Sequence, residues 1–136
     1  MRNTKLIITI ISFLFSVNIH SQVKRYLSDY SMKIKIEKEV SLHSGTAEEI
    51  SIENVYIIHD TIKSTVDVKY VEDDKRISFF TNVTYSESFT DKLDNQYVAY
   101  TAVRNKVPYF ISFSRDIIKF DNRVTYISVA YHIKNL

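Results

Sequence analysis

Cysteine and tryptophan are missing from the 136 residues, and glycine and proline occur once each. Without a thiol there is no disulfide framework, no thiolate nucleophile, no cysteine-held zinc and no lipid-modified cysteine. One glycine is too few for the glycine-rich loops that cradle phosphates. It also hands the tight turns to Asn and Asp, which tolerate left-handed backbone better than most non-glycine residues. Long apolar runs are scarce as well. The run at residues 6–17 is shorter than the ~20 residues a membrane-spanning helix needs.

That run follows Arg2 and Lys5 and leads into Ile19, His20 and Ser21, the layout of a secretory signal peptide. The expectation is a signal at residues 1–21, cleaved after Ser21, and a single β-rich domain at residues 22–136. The product would be secreted or periplasmic, with no stable membrane insertion after cleavage. The Ser21-Gln22 junction resembles the signal ends of Bacteroidota envelope proteins. Of the 18 basic residues, Arg2 and Lys5 lie in the leader; all 16 acidic residues lie after it, so the remainder carries 16 of each sign. A net charge of zero with interleaved signs leaves no basic patch for nucleic acid. A chain of that length buries about two-thirds of its unfolded surface, enough for a core without staples.

What is abundant is Ile, Val, Thr, Tyr and Phe, the residues that favour strands. Residues 32–37 alternate apolar and charged without a break. Hairpin registers follow from asking which loop length puts apolar residues on one face. A two-residue turn at Asp73 and Asp74 would pair Tyr70 with Ile77 and Val68 with Phe79. A three-residue loop of His59, Asp60 and Thr61 would set Ile52 against Val68 and Ile50 against Tyr70. A turn at Asn105 and Lys106 pairs Tyr100 with Ile111 and Val98 with Phe113. A last turn at Asp121 and Asn122 conflicts with the apolar set Ile127, Val129, Tyr131 and Ile133 unless a bulge or strand break falls near Arg115 and Asp116. Val23, Tyr26, Leu27 and Tyr30 have helical spacing and suggest one short helix. A helical turn or two near Phe89 and Leu93 is a further expectation. The fold class expected is mainly β, an antiparallel sandwich or small barrel of seven to eight strands with a short N-terminal helix. The alternative is α+β, with that helix packed on a curved antiparallel sheet.

Catalytic chemistry finds little purchase. No serine sits in a Gly-x-Ser-x-Gly elbow, and His43, His59 and His132 share no spacing that would gather them on one face. No catalytic residue, metal or cofactor is assigned. His59 with Asp60 reads as a solvated turn, and Arg104, Lys106 and Arg115 as gatekeepers flanking the apolar run 109–113. The tyrosines are the least ordinary feature. Tyr70, Phe79, Tyr85, Tyr100, Phe113 and Tyr131 fall on the core phase. Phe80, Tyr97, Phe110 and Tyr126 fall on the opposite phase, among Asn82, Thr101, Ser112, Ser128 and His132. Rings among small hydroxyls suit a sugar ring or an extended peptide, so Phe80, Tyr97, Phe110, Tyr126 and His132 are the candidate ligand-binding residues. The function expected is a non-catalytic, exported binding module, with a polysaccharide or an envelope protein as partner. A protein-binding accessory factor or inhibitor is the alternative, and a small hydrolase or isomerase the third reading.

Overall fold

The computed structural model describes residues 22–36 and 45–134, so the leader and the segment around His43 lie outside it. Nine strands run through the described residues: β1 (Val23–Ile36), β2 (Gly45–Ser51), β3 (Val55–Asp60), β4 (Thr65–Tyr70), β5 (Arg76–Thr90), β6 (Gln96–Arg104), β7 (Val107–Phe113), β8 (Ile117–Asn122) and β9 (Ile127–Lys134). All neighbours are antiparallel, and β1 pairs with β9 to close an eight-stranded barrel of β1 and β3 to β9. Strand β2 pairs with β1 beyond the stretch used by β3 and on the same edge, so β2 and β3 act as one strand broken at residues 52–54.

The expected short helix is absent: residues 23–30 belong to β1, and no helix occurs among the described residues. Helical spacing was outweighed by partners, since β1 is hydrogen-bonded on both edges by strands of the same barrel. Phe89 lies in β5, and Leu93 stands exposed in the β5–β6 turn.

Strands β1 and β5 are the longest, and each is shared unevenly. β1 gives residues 23–28 to β3 and 27–35 to β9. β5 gives residues 76–80 to β4 and 81–90 to β6. Each bends where it changes partner. In β1 the bend is at Asp29, which the β9 register skips. In β5 it is at Asn82, which takes φ 51° without a glycine. The meander closes around a single core, with Ile57, Val66, Val68, Ile111 and Ile118 fully buried.

Several registers differ from expectation. In β4–β5 the loop is longer, Val68 faces Ser78 and Val66 faces Phe80, with an irregularity after Val68. Phe80 is therefore core, 2% exposed, while Phe79 turns outward under the Arg76 guanidinium, 4.3 Å from its ring. The bulge at Asn82 restores the expected phase, so that Val83 is buried and Tyr85, although 59% exposed, stands opposite Tyr100 with ring centroids 6.2 Å apart. In β3–β4, Ile57 rather than Ile52 faces Val68, and His59 faces Val66 inside the barrel. Asp60 Oδ1 accepts the Ile62 and Lys63 amides, so Asp60 closes β3 and the loop follows it. The Asn105–Lys106 hairpin matches expectation pair for pair. The break near Arg115 is also present and is a hairpin turn; the next turn falls after Asn122, at residues 123–126.

Candidate functional site

The two barrel ends are built differently. At the end carrying turns 61–64, 91–95 and 114–116, an aromatic plug fills the interior. His59 stacks on Phe113 with centroids 5.0 Å apart and meets Tyr100 edge-on at 4.8 Å. Tyr26 joins Phe113 at 5.7 Å. Burial, with the nearby Lys24 charge, pushes the His59 imidazole below its ordinary pKa. His59 is thus a core ring, 3% exposed, and not the solvated turn residue expected.

The opposite end, with turns 71–75, 105–106 and 123–126, is open. A cavity of about 350 Å³ enters the barrel there, lined by Ile77, Ser78, Phe80, Arg104, Tyr109, Phe120, Asn122, Thr125, Ile127, Val129 and Tyr131. Its aromatic wall is one connected chain of rings. Tyr109 meets Phe80 edge-on at 5.0 Å, Phe80 stacks on Phe120 at 4.9 Å, and Phe120 meets Tyr131 edge-on at 5.6 Å. Such contacts lock the rings in place before anything binds.

Polar groups converge on this wall. The Arg104 guanidinium lies 6.0 Å from the Phe80 centroid, at the range of a cation–π contact. No carboxylate among the described residues pairs with it. Asn122 is held by its own turn, where its Oδ1 accepts the Val124 and Thr125 amides. That fixes the amide so that Nδ2 donates to the Tyr109 hydroxyl at 3.1 Å, leaving the tyrosine proton free to donate onward. Tyr131 is pushed up to about 12, chiefly by burial, so its hydroxyl keeps its proton at any physiological pH.

The residues expected to form one platform are split. Phe80 lines the cavity, inside the barrel. Tyr97, Phe110 and His132 share the outer face with Thr101, Ser112 and Ser128, on strands β6, β7 and β9. Tyr97 and His132 are three strand spacings apart, about 14 Å. Each of these rings already has an intramolecular companion. Tyr97 stacks on Phe89 at 5.0 Å, and the Arg123 guanidinium sits 4.2 Å over Phe110. His132 stacks on Tyr30 at 4.9 Å, and its Nδ1 lies 3.1 Å from Asp29 Oδ1. That contact holds the Asp29 carboxyl below the usual range, and Lys134 adds to it. Tyr126, 39% exposed, is the left-handed residue closing the β8–β9 turn at the cavity end.

Sequence reasoning missed Ser78, Arg104 and Asn122. A signal for them exists: Arg104 continues the inward phase of Tyr100 and Ala102, and Asn122 that of Ile118 and Phe120. Polar residues on an apolar phase, all at one barrel end, mark a mouth.

A larger recess of about 610 Å³ lies between residues 52–54 and the β4–β5 turn, lined by Ile52, Glu53, Asn54, Tyr70, Val71, Glu72 and Asp73. It is a gap between two irregular segments with exposed acidic walls, whereas the smaller cavity is walled by strands and packed rings. The neighbouring Glu53 charge pushes the Tyr70 hydroxyl above its ordinary pKa. The buried carboxylate of Asp121 is on the outer face, hydrogen-bonded by Ser128 and 3.6 Å from Lys119 Nζ. Its partners are there, away from the cavity. Comparisons with protein-family models, with curated proteins and with solved structures find no match for the chain.

Proposed function

We propose that the protein is a non-catalytic binding module of the bacterial envelope or extracellular space, and that its ligand is a small ring-bearing molecule seated in the barrel mouth. The observation that carries this reading is the half-open cavity of about 350 Å³, walled by four connected aromatic rings with a few fixed polar groups. Mouths of small barrels are preferred positions for ligand sites, and apolar walls with sparse polar anchors are their usual chemistry. A carbohydrate suits the reading because a sugar ring stacks its apolar face on tyrosine or phenylalanine.

Thr125 lies on the rim, exposed, and lines the cavity. Thr125→Trp would block the entrance from outside the core. A thermal-shift screen of monosaccharides, disaccharides and small aromatic compounds should find ligands that raise the wild-type Tm and leave that of Thr125→Trp unchanged. Equal stabilisation of both proteins would place binding elsewhere. A screen without hits would favour a protein partner, for which Ile50 and Ile52 are the specific observation. They stand 63% and 85% exposed, Ile50 on β2 and Ile52 just after it, and β2 has a partner on one edge only among the described residues. Export rests on residues 1–21, and the intact mass of the exported protein checks it: the chain should begin at Gln22.

A further inference from the structure

The chemistry of the mouth selects the ligand further, and this step rests on the reading of the mouth as the binding site. None of the residues lining the cavity is Asp or Glu. Its one charged group is the Arg104 guanidinium, which has no carboxylate partner among the described residues. The Tyr109 hydroxyl accepts from Asn122 Nδ2 and is left with its proton to give. The Tyr131 hydroxyl has no hydrogen-bond partner among the described residues, and burial keeps it protonated. Asn122 Oδ1, the acceptor that a neutral hydroxyl would seek, is taken by two turn amides. Thr125 Oγ1 accepts the Ile127 amide. The Ser78 and Tyr131 hydroxyls can act either way. The polar side of the cavity therefore offers mainly donors and one fixed positive charge, beside a wall of rings.

We infer that the mouth binds an organic anion, a carboxylate carried on a ring, with the carboxylate against Arg104 and the ring against Phe80, Phe120 and Tyr131. A guanidinium matches a carboxylate with two parallel hydrogen bonds, and one that lies against an aromatic face is more weakly hydrated than an ammonium would be. A neutral sugar would leave the guanidinium without a counter-charge and would find few acceptors for its hydroxyls. Two kinds of molecule carry the required chemistry: an aromatic or apolar ring acid, and an acidic sugar.

Two matched pairs of probes test this by NMR titration of the protein: 2-naphthoate against 2-naphthalenemethanol, and glucuronate against glucose. In at least one pair the anion should bind about tenfold or more tighter than its neutral partner, the scale of a charge-assisted hydrogen bond. A preference confined to the first pair identifies a ring acid, and one confined to the second an acidic sugar. Arg104→Gln should cut the preference to within about threefold, and Arg104→Lys should keep part of it. If the Gln variant fails to fold, ionic strength decides on the wild type: added salt should weaken the anion and leave the neutral partner unchanged. Equal binding of anion and neutral partner, or a preference that survives Arg104→Gln, would overturn the inference while leaving the mouth as the site. Probes that perturb no cavity residue at all would overturn both.

Discussion

Phe79 and Phe80 are adjacent and chemically identical, yet they face opposite ways. Phe80 packs between Tyr109 and Phe120 in the interior, while Phe79 is half-buried outside beneath Arg76. Phe80→Ala should cost about 3–5 kcal/mol, the range for a buried aromatic truncation, and Phe79→Ala about 1 kcal/mol, the centre of the general distribution. Chemical denaturation of the two variants checks this, and equal losses would mean that the β4–β5 register is wrong. This pair also shows where the sequence misleads. Alternation predicts the phase correctly until a bulge intervenes, and the irregularity after Val68 inverts it for Phe79 and Phe80. A bulge leaves no mark in composition, so Phe80 reads as outward from sequence alone. His59 supplies a second residue-level test. Its pKa is lowered in the folded state, so the unfolded chain binds the proton more readily. Stability from this group is full above about pH 6.5, and is lost as the pH falls from that unfolded value toward the lower folded one. Asp29 and Asp91 are also shifted down and lose their contributions only in the more acidic carboxylate range. Denaturation midpoints between about pH 7 and pH 5 should therefore fall with acid in the wild type and fall less in His59→Phe. Parallel profiles would mean that His59 is solvated.

At the level of elements, turns decide how much was legible. The Asn105–Lys106 hairpin was readable because both turn residues adopt positive φ, 49° and 65°, the two-residue geometry that fits strand twist. Loops 61–64 and 123–126 follow a different rule. In each, an Asp or Asn ends the strand, its side chain accepts the amides two and three residues on, and the fourth loop residue turns left-handed. Asp60 and Asn122 are strand-end caps in this design. The residue type announces a turn nearby without saying on which side, which is why those loops are misplaced by sequence reading. Glycine scarcity leaves Lys106 at φ 65°, a conformation that costs most non-glycine residues roughly 1 kcal/mol. Lys106→Gly should raise stability by about 0.5–1 kcal/mol in denaturant titration. A loss would mean that the turn is not left-handed at that position.

Across the whole molecule, the meander closes into a cup with one sealed end and one open end. The seal is the His59, Tyr100, Phe113 and Tyr26 cluster, and the opening is the ring-walled cavity with Arg104. The strand-rich, helix-poor class was legible because the apolar alternation survives over most of the chain. The cup was not, because it depends on registers across eight strands and on three inward polar residues meeting at one end. Tyr97, Phe110 and His132 are outward, as their phase implied, but each already has an intramolecular partner. Residue-resolved NMR mapping with the tightest ring ligand separates the two surfaces most directly. The expected result is a set of saturable shifts on Phe80, Arg104, Tyr109, Asn122 and Tyr131, with Tyr97, Phe110 and His132 unmoved. Shifts confined to those three outer residues would contradict the barrel mouth as the binding site.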